Sequence, residues 1–103
     1  MRVVWDPKAK DARTQVANYI LRQFGAKCKM RFLQKIREIT QQLKRNPGIG
    51  QIDPLFADRA RTYRSVIING LNKLVYFTEG DILYIAGFWD TRMDDKNQAK
   101  QIK

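Results

Sequence analysis

Two apolar stripes at helical spacing, separated by a single glycine, restrict most strongly the folds that this chain can adopt. The first stripe contains Ala9, Ala12, Val16, Tyr19, Ile20 and Phe24, and the second contains Cys28, Phe32, Ile36, Ile39 and Leu43. Asp6 and Pro7 supply an N-cap and a first helical residue, and a Pro-Gly pair at 47–48 ends the second helix. Because only Gly25 separates the two helices, the pattern predicts an antiparallel helical hairpin.

Apolar runs rich in β-branched and aromatic residues flank the predicted helices. They predict one short strand at 2–5 and three more at 63–68, 71–78 and 82–89. Turn signals predict a long loop over 46–62. The order β-α-α-β-β-β predicts an α+β fold with an antiparallel sheet, the helical hairpin on one face and the other face open. We expect a single domain over 1–94 and a polar tail, frayed or weakly helical, over 95–103.

Charge and composition narrow the classes of function. Twenty Lys and Arg against ten Asp and Glu give a net charge of +10, which favours an anionic partner. The absence of histidine excludes His-based acid-base catalysis and, with Cys28 as the only cysteine, an ordinary zinc site, so no metal or cofactor is expected. One unpaired thiol and the lack of an apolar run of about 20 residues predict a cytoplasmic protein without a membrane partner.

The end of the last predicted strand carries the first candidate for function. Phe88 and Trp89 close an apolar run, and Arg92 follows just beyond the strand end, where functional side chains commonly lie. Arg92 and Trp89 are therefore candidates for binding a target. The alternative is that both aromatics are core residues and that Arg92 pairs with Asp90.

Turn geometry predicts which other cations lie near Arg92. If Asn69 and Gly70 are the two central residues of a tight turn, Ile68 faces Leu71, Val66 faces Lys73 and Arg64 faces Val75, which places Arg64 and Lys73 on one face. A two-residue turn near Gly80 would add Tyr84, Ala86, Phe88 and Arg92 to that face. Three cations beside aromatics would suit a phosphate backbone with unstacked bases. A three-residue turn would flip the last strand, and a basic protein also scatters cations on any face.

The helical hairpin carries most of the positive charge. Between residues 12 and 52 there are nine basic residues and one acid, Glu38. Such a run is usually a solvated helix face, but so few acids favour an acidic or phosphate partner. The candidates for binding such a partner are Lys27, Arg31, Lys35, Lys44 and Arg45.

Three segments, taken in order, resemble the RelE/ParE superfamily of bacterial toxins. They are the hairpin turn at 24–26, the strand segment at 73–76 and the ending at 85–94, which reads IAGFWDTRMD. The resemblance covers nearly the whole chain. It implies a RelE/ParE-like fold and a toxin of a type II toxin-antitoxin module, held inactive by a cognate antitoxin whose largely extended segment wraps the toxin.

Two branches of that superfamily imply different targets. In the RelE-like branch the toxin cleaves mRNA in the ribosomal A site, and Arg64 and Lys73 match basic positions of that site, with Arg92 near a third and Tyr84 as a further candidate. Val66 stands where a second strand lysine would be expected, and no Tyr or His follows Arg92. In the ParE-like branch, which inhibits DNA gyrase, the hairpin is long and the last strand ends as here.

The ParE-like branch is favoured, with the ribosome-dependent nuclease as the alternative. The depleted catalytic positions and the long hairpin support inhibition of gyrase. The net charge of +10 supports a protein that lies among ribosomal phosphates. A small nucleic-acid-binding module without toxin function is the third hypothesis.

Overall fold

The computed structural model describes residues 1–102 and has the predicted α+β fold. The strands are β1 (Arg2–Trp5), β2 (Gln51–Ile52), β3 (Arg64–Ile68), β4 (Asn72–Glu79) and β5 (Ile82–Asp90). The helices are α1 (Pro7–Phe24), α2 (Ala26–Arg45) and α3 (Asp95–Lys100), with short 3₁₀ turns at Pro47–Ile49 and Pro54–Phe56. No helix of the described chain is long and apolar enough to cross a membrane.

Local signals define the helical hairpin as the sequence predicts. Asp6 caps α1 through a bond from the Lys8 amide to its carboxylate (3.0 Å), and Pro7 occupies the first turn. Gly25 has a φ of 92°, a conformation that glycine adopts readily, and it joins α1 directly to α2. The buried residues of both helices, among them Ala9, Ala17 and Ile36, pack on one face of the sheet.

The sheet is mixed rather than wholly antiparallel. Its order is β1-β5-β4-β3-β2, and β1 pairs in parallel with β5, while all other pairs are antiparallel. The parallel pairing follows from the hairpin, which carries the chain over the sheet between β1 and the later strands. The two-residue strand β2 lies inside the predicted loop and is too short for an alternating pattern to reveal it.

The predicted register of β3 and β4 is wrong by one residue. Ile68 pairs with Asn72 and Ile67 with Lys73, so the connecting loop contains three residues, 69–71. Asn69 (φ 52°) and Gly70 (φ 71°) are both left-handed, and the Leu71 amide donates to the Ile68 carbonyl (3.1 Å). This register turns the fully buried Leu74 toward the helices and Lys73 away from them. Arg64 and Lys73 therefore lie on opposite faces, and the predicted convergence of three cations does not occur.

A bulge in β5 explains a second difference between the predicted and the observed sheet. Val75 pairs with Gly87 but Tyr76 pairs with Ile85, which leaves Ala86 as the extra residue. Phe88 consequently packs in the core under the helices, whereas Tyr84 and Trp89 lie on the other face. The prediction that Tyr84, Ala86 and Phe88 share one face is therefore wrong for Phe88.

The face opposite the helical hairpin is largely covered rather than open. The 3₁₀ turn at Pro54–Phe56 and helix α3 pack on it, and they bury a second core of Phe56, Tyr63, Val75, Phe77, Trp89 and Ile102. The tail expected to be frayed or weakly helical thus forms a docked helix, with Gln98 and Ile102 both buried. Arg59 also donates to the Ala99 and Ile102 carbonyls (2.8 and 2.9 Å), which holds the segment against the fold.

Candidate functional site

A buried polar network joins β4, β5, α3 and the loop before β3. Lys73 Nζ lies 2.5 Å from Asp53 Oδ2 and donates to Gln98 Oε1 (3.0 Å). The same Gln98 oxygen accepts the indole N–H of Trp89 (3.0 Å), and Gln98 Nε2 donates to the Met93 carbonyl (2.6 Å). The Lys73 side chain is 13% exposed and that of Asp53 is 2% exposed. The charge of Lys73 is thus compensated by Asp53, and its side chain is enclosed within the fold.

This network changes the interpretation of two predicted site residues. Lys73, a candidate for catalysis and target binding, has its ammonium group in a structural ion pair. Trp89, a candidate for target binding, is buried in the second core. Asp53 and Gln98 were missed because the sequence places one in a turn and the other in a polar tail. The available signal was a lone lysine inside an apolar strand, since a buried cation requires a partner.

Arg64 lies on the helix side of the sheet and holds the loop before β2. Its guanidinium donates to the Gly50 carbonyl (2.8 Å). The adjacent Tyr76 hydroxyl donates to the Pro47 carbonyl (2.5 Å) and accepts from the Gly50 amide (3.0 Å). Burial raises the pKa of Tyr76, against a smaller lowering by the Gly50 bond and the Arg64 charge. Both side chains are occupied in fixing the backbone at 47–50.

An aromatic cleft of about 810 Å³ opens on the face opposite the helices. We define it by Tyr63, Phe77, Tyr84 and Ala86, with Arg61 at its rim. The rings of Phe77 and Tyr84 lie 5.0 Å apart at 31°. Arg61 lies over Phe77, 4.4 Å from the ring centroid, and pairs with Glu79 at 3.1 Å. The cleft therefore offers an apolar floor with one stacked cation at its edge.

Tyr84 is the one predicted catalytic candidate that lines this cleft. Its hydroxyl donates to Asp6 Oδ1 at 3.4 Å, which is a long bond. Burial raises the pKa of Tyr84, and the charge of Asp6 adds to that effect. The phenol therefore stays protonated at neutral pH and does not serve as a proton acceptor there.

Arg92 lies at the exposed end of β5 and pairs with Asp90, as the alternative sequence interpretation proposed. Arg92 Nη2 donates to Asp90 Oδ2 (2.8 Å), while Nε and the Arg92 amide donate to Oδ1 (3.0 and 2.7 Å). These bonds lower the pKa of Asp90 to about 2, and they raise that of Arg92. The Arg92 side chain is nevertheless 80% exposed. It is a preoriented cation that a partner can reach.

The Asp90 carboxyl should report on this pair directly. We expect it to titrate near pH 2 in the native chain and at a higher pH, between 2 and its ordinary value of 3.8, in Arg92→Ala, because the variant removes the side-chain bonds but keeps the bond from the backbone amide. Since the folded pKa is the lower one, the pair stabilises the fold above the unfolded pKa, and this contribution is lost as the pH falls toward 2. Carboxyl carbon shifts in an NMR titration measure both values. An Asp90 midpoint that Arg92→Ala leaves unmoved would contradict the assigned geometry.

The basic candidates on the hairpin are accessible and have no acidic partners. Lys27, Arg31 and Lys35 are exposed at successive i, i+4 positions of α2, and Arg45 is exposed while Lys44 is half-buried near its end. Across residues 1–102, the ion pairs involve none of these five side chains. The outward face of α2 is therefore an unneutralised cationic surface. The described chain contains no group of three His, Cys, Asp or Glu that could hold a metal ion.

Comparison with solved structures shows the same fold in two bacterial proteins. A chain from the "Chromosomal ParDE TA system from P. aeruginosa" has a TM-score of 0.68 at 15% identity, covering 87% of this chain and 95% of that one. A chain from "The structure of YoeB dimer from Staphylococcus aureus" has a TM-score of 0.57 at 23% identity, covering 84% and 92%. A search of curated protein sequences finds no significant match.

A family model decides the assignment that the resemblance suggested. The model described as "ParE toxin of type II toxin-antitoxin system, parDE" matches residues 3–95, nearly the whole chain. This match, together with the fold, confirms the RelE/ParE superfamily and gives no support to a nucleic-acid-binding module outside it. The chain belongs to the ParE toxin family of type II toxin-antitoxin systems.

Proposed function

We propose that this toxin arrests growth by binding and inhibiting DNA gyrase in the cytoplasm, and that a cognate acidic antitoxin neutralises it. The observation that carries the proposal is the enclosure of Lys73 by Asp53 and Gln98. Inhibition by binding requires an accessible surface but no proton-transfer group. Arg92 and the cationic face of α2 supply such a surface.

RNA cleavage by attack of the 2′-hydroxyl makes a different demand. It needs one group that accepts a proton and another that returns it near neutral pH. Lys73 is held in an ion pair, Arg64 is bound to a carbonyl and is too basic, and Tyr76 and Tyr84 both have raised pKa values. Arg64 and Lys73 also lie on opposite faces of the sheet, so these two residues cannot act together as an acid and a base on one substrate. These features favour inhibition of gyrase over cleavage of mRNA.

The ribosome-dependent nuclease is the second candidate function, and one observation favours it. The face of α2 presents Lys27, Arg31 and Lys35 without acidic partners, which suits a surface that contacts ribosomal phosphates. A gyrase inhibitor has no comparable need for that much charge. The same cations would also attract an acidic antitoxin, so the charge alone does not discriminate between the two targets.

Two assays on the induced toxin separate these functions. We expect the purified toxin to inhibit supercoiling of relaxed plasmid by gyrase, and primer extension on a translated message to show intact mRNA. The double variant Asp53→Asn, Lys73→Met removes the buried ion pair without leaving a lone charge, and it should still inhibit gyrase. Codon-positioned cuts that disappear in this folded double variant would overturn the proposal in favour of the nuclease.

The antitoxin is the second partner in the proposal. The solved ParDE structure is described as a toxin-antitoxin system, which supports a cognate antitoxin for this chain. The net charge of +10 favours an acidic protein, and the uncovered face of α2 offers it cationic contacts.

A further inference from the structure

The end of the helical hairpin projects beyond the rest of the fold. Residues 18–31, all of which the structure describes, contain no buried side chain. The last buried residue of α1 is Ala17 and the first of α2 is Phe32. A Cβ placed on Gly25, at the turn, would meet no atom beyond its chain neighbours within 4 Å. The fold therefore supports the hairpin only as far as Ala17 and Phe32, and we call residues 18–31 the hairpin tip.

The hairpin tip is apolar although it is exposed. Phe24 is 65% exposed and Met30 is 70% exposed, and Tyr19 and Leu21 are exposed as well. The apolar pattern of the two helices thus continues past the point where this chain covers it. A cluster of large exposed apolar side chains indicates a surface that a partner covers.

The apolar side chains lie on several sides of the hairpin tip. Tyr19 and Leu21 are two residues apart in α1, and residues at that spacing point to nearly opposite sides of a helix. Met30 belongs to the other helix. A flat surface, such as a bilayer, contacts only one side of such an element. A recess in a folded protein can contact all of these side chains at once.

The charges at the hairpin tip define the chemistry of that recess. Arg22, Lys27 and Arg31 are exposed beside the apolar side chains, and the ion pairs within residues 1–102 involve none of the three. The sequence has no acidic residue from 12 to 37. The rim of the recess should therefore be acidic, and a second copy of this equally basic chain would be repelled.

The hairpin tip is continuous with the exposed arginine at the end of β5. Hydrogen bonding to Asp90 raises the pKa of Arg92, and Tyr19 adds a smaller effect, so Tyr19 lies in the electrostatic neighbourhood of Arg92. One surface thus combines exposed apolar side chains with a preoriented guanidinium.

We propose that the hairpin tip inserts into an acidic-rimmed apolar recess of DNA gyrase, an inference that rests on the gyrase inhibition proposed above. Phe24 and Met30 fill the recess, and the cations of the tip contact carboxylates at its rim. A few desolvated side chains at the centre of an interface commonly carry most of its binding energy. An antitoxin segment that wraps the toxin can follow any surface, whereas a recess in a large folded enzyme is reached only by an element that projects.

Binding of the purified toxin to purified gyrase tests this placement without relying on inhibition. We expect Phe24→Ser, Met30→Ser to bind gyrase at least about tenfold more weakly in biolayer interferometry and to keep the native melting temperature, because neither side chain is buried. The matched control is Ile49→Ser, Ile52→Ser, which removes two side chains of similar exposure beyond the other end of α2. It should bind gyrase as the native toxin does.

Charge reversal tests the acidic rim. Lys27→Glu, Arg31→Glu should weaken gyrase binding at least about tenfold, while acids near the start of α2 are compatible with the helix. Lys8→Glu, Lys10→Glu makes the same change in net charge near the start of α1, at the opposite end of the hairpin, and should have a much smaller effect. Equal losses from the two reversals would overturn the proposal in favour of nonspecific attraction.

The remaining outcomes separate the hairpin tip from the proposed function. A native toxin that binds and inhibits gyrase, with a Phe24→Ser, Met30→Ser variant that binds equally well, would refute the tip contact and leave gyrase inhibition intact. A native toxin that neither binds nor inhibits gyrase would refute both. A double variant that keeps gyrase affinity but loses affinity for the antitoxin, or for vesicles containing phosphatidylglycerol, would assign the tip to that partner instead.

Discussion

Asp53→Asn is expected to destabilise the fold by about 3 kcal/mol, although it changes one atom. The variant keeps a side-chain oxygen that can accept from the Leu55 amide (3.0 Å in the native chain), so the 3₁₀ turn at Pro54–Phe56 retains its cap. It removes the charge that neutralises Lys73, whose side chain is mostly buried. An uncompensated charge in such a position typically costs about 3 to 5 kcal/mol. Urea unfolding followed by tryptophan fluorescence measures the change.

Two further variants test whether the loss of stability comes from the unpaired charge of Lys73. Adding Lys73→Met to Asp53→Asn removes the buried charge at similar volume and should restore most of the stability. Glu79→Gln breaks the exposed pair with Arg61 and should change the free energy of unfolding by about 1 kcal/mol or less. If Asp53→Asn is no more destabilising than Glu79→Gln, Lys73 is not held by Asp53, and the argument against a nuclease loses its main support.

Local chemistry explains why the helices could be predicted and the sheet register could not. Asp6, Pro7 and Gly25 act within one helical turn of their own positions, so the chain around them contains the full signal. The register of β3 and β4 depends on whether Leu71 belongs to the loop or to the strand. Burying Leu74 under the helices decides between the two, and that energy depends on residues far away in the sequence.

The polar network of the candidate site joins residues that are far apart in the sequence. Asp53, Lys73 and Gln98 are separated by at least 20 positions, and no spacing rule joins them. The bulge at Ala86 further places Trp89 beside Gln98 rather than at the surface. Sequence alone therefore named Lys73 as a candidate site residue but placed it on the same face as Arg64 rather than beside Asp53 and Gln98. The pairing of Arg92 with Asp90, which the sequence offered as the alternative interpretation, depends on a separation of only two residues and could therefore be foreseen.

The sheet face that is covered by α3 and the outward face of α2 differ in what they offer to a partner. The face opposite the hairpin is stabilised by α3 and the buried ion pair, so Lys73 is not free to act on a substrate. The cationic face of α2 is exposed and available to partners. Inhibition by surface contact is consistent with this arrangement, because it uses exposed groups and leaves the buried network undisturbed.

Arg92→Ala is expected to abolish growth arrest while leaving the fold intact. Arg92 is 80% exposed and its side-chain hydrogen bonds in the described chain are all to Asp90, so its loss should barely move the melting temperature. As an exposed, preoriented arginine it is the type of residue that anchors protein interfaces, and its removal should weaken target binding about tenfold or more. Growth after induction, at matched toxin levels, and thermal unfolding by circular dichroism measure the two effects.

Two matched variants define what Arg92 contributes. Asp90→Asn removes the charge that pairs with the guanidinium but keeps the guanidinium itself, and this variant should remain toxic. Arg92→Lys keeps the charge but loses the planar fork, and it should be intermediate if the target presents a carboxylate or phosphate to that fork. A folded Arg92→Ala toxin that still arrests growth would place the target contact elsewhere. In that case the triple variant Lys27→Ala, Arg31→Ala, Lys35→Ala should lose toxicity, because those residues form the other exposed cationic surface.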